Sequence, residues 1–133
     1  MNDPYTDDFN VLKRIVKEYQ EHGKLIVAVD FDGTINDFHN EGYKFPRVRE
    51  VLHKCNIHNF TVIAFTANKD HETVYKGFND LAIKIDGINM NVLPQFEGSG
   101  KIYYNILLDD RAGLSSSLYV LEMFFDIIEG IRL

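Results

Sequence analysis

The stretch Leu25-Ile26-Val27-Ala28-Val29-Asp30-Phe31-Asp32-Gly33-Thr34 constrains the fold of this chain more than any other. An apolar run this short, without polar alternation, suits a strand buried on both faces, as in parallel sheets. Asp30 and Asp32 then lie at its carboxyl end, the edge outside which open α/β sheets bind ligands. Two positions apart on an extended path, both side chains leave by one face. Like charges so close are costly unless a cation or a shared proton relieves them. Magnesium is a natural relief, being hard and oxygen-seeking. Gly33 allows a sharp turn, and Thr34 adds a hydroxyl and an amide beside it.

The rest of the chain alternates helical and strand patterns. Residues 1–7 read as a frayed polar end. Asp7 or Asp8 caps a helix over 8–22, with Phe9, Leu12, Val16 and Tyr19 as its apolar stripe and Gly23 as its stop. Pro46 opens a second helix to about Lys54. Phe60–Phe65 is a second strand, and Asp70 caps a helix to about Asn79. Leu81–Ile85 reads as a third strand, with Asp86-Gly87 as its turn. Ile88–Leu93 fits either a short strand or an extended loop. Tyr103–Leu108 is a further strand, and a last helix covers about Ser117–Glu129. This order implies an α/β fold: a Rossmann-like three-layer α/β/α sandwich around a mainly parallel sheet.

At 133 residues, 45% of them hydrophobic, the chain fits a single domain over 1–133. A net charge of −6 argues against non-specific binding to nucleic acid or to an anionic membrane. Cys55 is the one cysteine, so no internal disulfide forms, and a reducing cytoplasmic setting is expected. It reads as a small buried thiol near a helix end. No stretch approaches a membrane span.

Three strand ends carry polar residues: Asp30 and Asp32, Thr66, and Asp109 with Asp110. Lys101 precedes the last strand. A parallel sheet gathers such ends on one edge, so distant residues converge. Asp30-Phe31-Asp32-Gly33-Thr34, Val62–Thr66, Lys101 and Ile106–Asp110 resemble, in order, the four motifs of the haloacid dehalogenase-like superfamily. The resemblance spans roughly residues 24–115. Its first and fourth motifs are specific; the second and third are weak alone.

The resemblance implies a magnesium-dependent phosphomonoesterase. Asp30 would be the nucleophile and Asp32 the general acid and base. Thr66, with the amides near Phe31 and Ala67, would hold the phosphoryl oxygens, and Lys101 would neutralise charge. The ion would be held by Asp30, the main-chain carbonyl of Asp32, and Asp110, with Asp109 behind it. The gaps at 35–46 and 67–100 leave no room for a substantial cap, which implies an open site. An open site suits a phosphorylated macromolecule, or a small substrate covered by a second subunit. Leu107-Leu108-Asp109-Asp110-Arg111 is also similar to the ending of deoxyribonucleotidases, a loose pointer to nucleotides because those carry a larger cap. The alternative is a non-catalytic relative that binds a phosphorylated partner or acts as a scaffold.

Plainer roles stand beside these. A lone Asp at a strand end is usually a turn former or a helix cap, and Thr66 suits a cap as well. Lys101 fits a solvated loop lysine, and Asn68 and Arg111 could touch substrate but fit surface polar roles better. Phe38, Tyr43 and Phe45 read as packing residues. His22, His39, His53, His58 and His71 lack metal-ligand spacing. Gly98-Ser99-Gly100-Lys101 fails as a nucleotide-binding loop, because Gln95 and Ile102 stand where glycine and a hydroxyl are needed. Asp30-Phe31-Asp32-Gly33 fails as a calcium loop through its misplaced glycine. A phospho-accepting receiver module would carry its acidic pair first and its Thr and Lys last, whereas here a double acid closes the order.

Overall fold

The computed structural model describes residues 3–130. The elements are α1 (Asp8–His22), β1 (Ile26–Val29), α2 (Pro46–Ile57), β2 (Thr61–Ala64), α3 (His71–Asp80), β3 (Gly87–Ile88), β4 (Ile106–Leu108) and α4 (Leu114–Ile128). The four strands form one parallel sheet in the order β3-β2-β1-β4. β1 lies inside it, its residues all buried, as its unbroken apolar run demands.

Side chains of all four helices share one apolar cluster with Leu25, Val27, Val29, Val62, Ala64, Ile106 and Leu108. Ile26, Ala28 and Ile63 are buried outside that cluster, as alternation along a strand requires for the opposite face. The chain after β3 must pass β2 and β1 to reach β4. The right-handed rule for parallel crossovers lays this connection on that second face. The architecture is the expected α/β sandwich. No helix among the described residues is long and apolar enough to cross a membrane.

Local chemistry sets the element ends. The Asp7 carboxylate accepts from the Phe9 amide at 2.8 Å, and Gly23 closes α1 at φ 77°. Leu12 and Ile15 are the buried residues of α1, while Phe9 is 59% exposed and does not belong to the inward stripe. Of the polar N-terminal stretch, Pro4–Thr6 makes a turn of 3-10 helix capped by Asp3 rather than fraying; residues 1–2 lie outside the described residues. Cys55 is fully buried in α2, and desolvation pushes its thiol up to about 12.

One strand is displaced from its expected place. Leu81–Ile85 is not a strand, because its amides are already committed. Those of Leu81, Ala82 and Ile83 donate back to the end of α3, and Ala82 turns at φ 57°. The Asn56 side chain takes both the N–H and the carbonyl of Lys84. Pairing with β2 starts only at Asp86, whose amide reaches the Val62 carbonyl at 2.7 Å and whose carboxylate accepts from the Val62 amide at 2.9 Å. Asp86 therefore extends the ladder instead of turning away, and Gly87–Ile88 is β3.

Candidate active site

Asp30 follows β1, and its amide donates to the Leu108 carbonyl at 2.8 Å, so the sheet ladder fixes its position. Asp109 and Asp110 follow β4, the neighbouring strand. One carboxylate oxygen from each of Asp30, Asp109 and Asp110 lies within 4.8 Å of the others. Asp30 and the Asp109–Asp110 pair, far apart in sequence, thus meet at one rim.

Thr34 binds them together. Its fully buried hydroxyl lies 3.2 Å from Asp30 Oδ2 and 3.1 Å from Asp110 Oδ1, and accepts from the Asp110 amide at 3.0 Å. The turn that brings it there runs through Gly33 at φ +85°. A Cβ at Gly33 would stand 3.0 Å from Asp110 Oδ2, so a larger residue would crowd the carboxylate as well as strain the backbone.

The electrostatics follow from this crowding. Burial pushes the Asp30 carboxyl up to about 7, helped by the charge of Asp109 and a hydrogen bond with Asp110. The Phe31 amide and the Thr34 hydroxyl pull the other way. Asp30 and Asp109 are half-buried and Asp110 is exposed, and the three carboxylates form a set of hard oxygen donors short of positive charge. That donor set fits magnesium.

Asp32 is held apart from the trio. Its two oxygens accept from Asn36 Nδ2 at 2.8 Å and Asn68 Nδ2 at 3.3 Å. The buried Thr66 hydroxyl accepts from the Asn68 amide at 3.0 Å. Asn89 clamps the Thr66 backbone, accepting from its N–H at 2.8 Å and donating to its carbonyl at 2.7 Å. Asn36 and Asn89 escape a motif-based reading, because amide side chains carry no charge pattern, and Asn68 is tied to Asp32 rather than being a plain surface polar residue.

A cavity of about 540 Å³ opens over these groups, lined by Asp30, Asp32, Thr66, Ala67, Asn68, Asp110 and Arg111 together with the 37–45 loop. Lys101 is not among its lining residues. It is exposed, and its main-chain carbonyl accepts from Asn91 Nδ2 at 2.9 Å and Ser99 Oγ at 2.7 Å. Phe31 is buried, its ring against Phe78 of α3 at 5.4 Å and against the backbone of Gly77. Among the histidines, His39 lines the cavity, His53 bonds to the Leu81 carbonyl, and His58 pairs with Glu129. Phe38 and Tyr43 are 63% and 61% exposed, so neither is the packing residue its type suggests.

No family model and no curated protein matches the chain. Among solved structures, it is similar to a conserved protein from Bacteroides thetaiotaomicron, with a TM-score of 0.57 and 21% identity over 82% of this chain and 93% of that one. The likeness is one of fold.

Proposed function

We propose that the chain is a magnesium-dependent phosphomonoester hydrolase of the haloacid dehalogenase-like type, working in the cytoplasm on a nucleotide or a phosphorylated macromolecule. The observation that carries this reading is the convergence of Asp30, Asp109 and Asp110 within 4.8 Å, with Asp32 aimed separately beside them. Asp30, Asp109, Asp110 and the Asp32 carbonyl would hold the ion. When bound, it would screen the carboxylates and the phosphate charge.

An Asp30 carboxylate oxygen attacks phosphorus, and the ester P–O bond breaks. Asp32 gives its proton to the departing oxygen. A water then attacks phosphorus, losing its proton to Asp32, and the aspartyl-phosphate is released as phosphate and free Asp30. The Thr66 hydroxyl and the Ala67 amide hold phosphoryl oxygens. Among the described residues lining the cavity, only Arg111 carries a permanent positive charge, and it takes the neutralising role expected of Lys101.

The test is turnover of an aryl phosphate with and without magnesium. Asp30→Asn abolishes it while the fold, read by circular dichroism, is kept. Undiminished turnover in that variant rules out the nucleophile.

One observation favours the second reading, a non-catalytic module that holds a phosphorylated partner: Lys101 lies outside the cavity lining. Magnesium binding with silence across a broad phosphatase screen would select that reading.

A further inference from the structure

We propose that the loop over residues 36–45 forms an aromatic subsite of the same cavity, which takes a phosphomonoester leaving group ending in a flat, uncharged aromatic or heteroaromatic ring. The proposal rests on the phosphatase reading for where the phosphate sits.

Three observations carry it. Phe38 and Tyr43 are 63% and 61% exposed, yet both line the cavity that holds Asp30, Asp32 and Thr66. Their rings contribute little to the core, and a cavity of about 540 Å³ has far more room than one phosphate needs. Phe45 also lines it, held at φ 49°, ψ 52° immediately before Pro46. Left-handed backbone is unfavourable for a bulky residue, and doubly so before proline.

The loop is also braced rather than collapsed. The Asp37 carboxylate accepts from the amides of Glu41 at 3.0 Å and Gly42 at 2.7 Å, and the Asn40 amide donates to the Asp37 carbonyl at 3.0 Å. The rings are therefore presented by a fixed turn. Charge narrows the occupant further. Asp37 and Glu41 share the wall, so a second phosphate or a carboxylate on the distal group meets repulsion. A neutral ring meets apolar faces.

The experiment compares 2-phenylethyl phosphate with ethyl phosphate on the full chain with magnesium. Both lose a primary alcohol, so the ring is the main difference. Burying it favours 2-phenylethyl phosphate in kcat/KM by at least about tenfold. In the double variant Phe38→Ala/Tyr43→Ala that ratio falls toward one. General damage would lower both rates and leave the ratio in place. A ratio near one in the unaltered protein, or a ratio kept in the variant, overturns the subsite. If neither ester is turned over, aryl phosphate turnover judges the phosphatase reading separately, and calorimetric titration decides the subsite. Dissociation constants differing about tenfold, with the difference lost in the variant, support it. Equal constants, or no binding of either ester, overturn it.

Discussion

The Asp110 amide donates to the Thr34 hydroxyl at 3.0 Å, joining the turn after β1 to the turn after β4. The hydroxyl has one proton and two carboxylates within reach, Asp30 and Asp110. Thr34→Val keeps the shape and removes the oxygen. It strands the Asp110 amide and lowers stability by about 1–3 kcal/mol in urea unfolding. Thr34→Ser restores most of the loss. A valine variant as stable as the parent would show that the link carries no weight.

Asp30 makes metal-free stability depend on pH. Its folded pKa of about 7 lies above the ordinary 3.8, so the native state holds more protons between those values. The stability tied to its proton is complete below 3.8 and is lost as pH rises through 7. In a chelator, thermal unfolding should therefore shift to lower temperature over that window. Asp30→Asn should flatten the slope and unfold later than the parent at high pH, by about 1–2 kcal/mol after allowing for solvent screening. Magnesium should stabilise the parent more above pH 7 than at pH 5, since it competes with the proton. An unchanged slope in the asparagine variant would contradict this.

Arg111 and Lys101 divide by position. Arg111 lines the cavity and Lys101 does not. Arg111→Ala should lower kcat/KM for a phosphomonoester about 10–100-fold, while Lys101→Ala changes it by less than about threefold. The reverse order in steady-state kinetics would return the charge-neutralising role to Lys101.

Gly77 in α3 has the Phe31 ring against its backbone, where a Cβ would overlap ring atoms. Gly77→Ala adds helix propensity worth about 1 kcal/mol. The overlap with the buried Phe31 ring costs about 1–3 kcal/mol, so the variant should denature at lower urea. A midpoint at or above the parent's would show that the ring moves aside freely.

The acidic strand ends were readable in the sequence because β1 and β4 are apolar runs whose last residues change sharply to aspartate. Leu81–Ile85 misled for the same reason: an apolar run reads as a strand whether or not its amides are free. Here the end of α3 and Asn56 had taken them. The sequence places the Thr34 hydroxyl nearby, but its link to Asp110 spans 76 positions and leaves no local pattern. Lys101 matched by order alone, and order says nothing of where a loop side chain ends up. Residue type alone makes Phe38 and Tyr43 packing residues, because it does not register a turn braced by Asp37.

Because β1 sits between β2 and β4, the centre has no existence in any N-terminal fragment. A growing chain on the ribosome could complete β1, α2 and β2 and still lack Asp109 and Asp110. Any activity or metal affinity would switch on only once the final strand has docked. A stall, a cleavage or a frameshift before that point would yield a stub without chemistry.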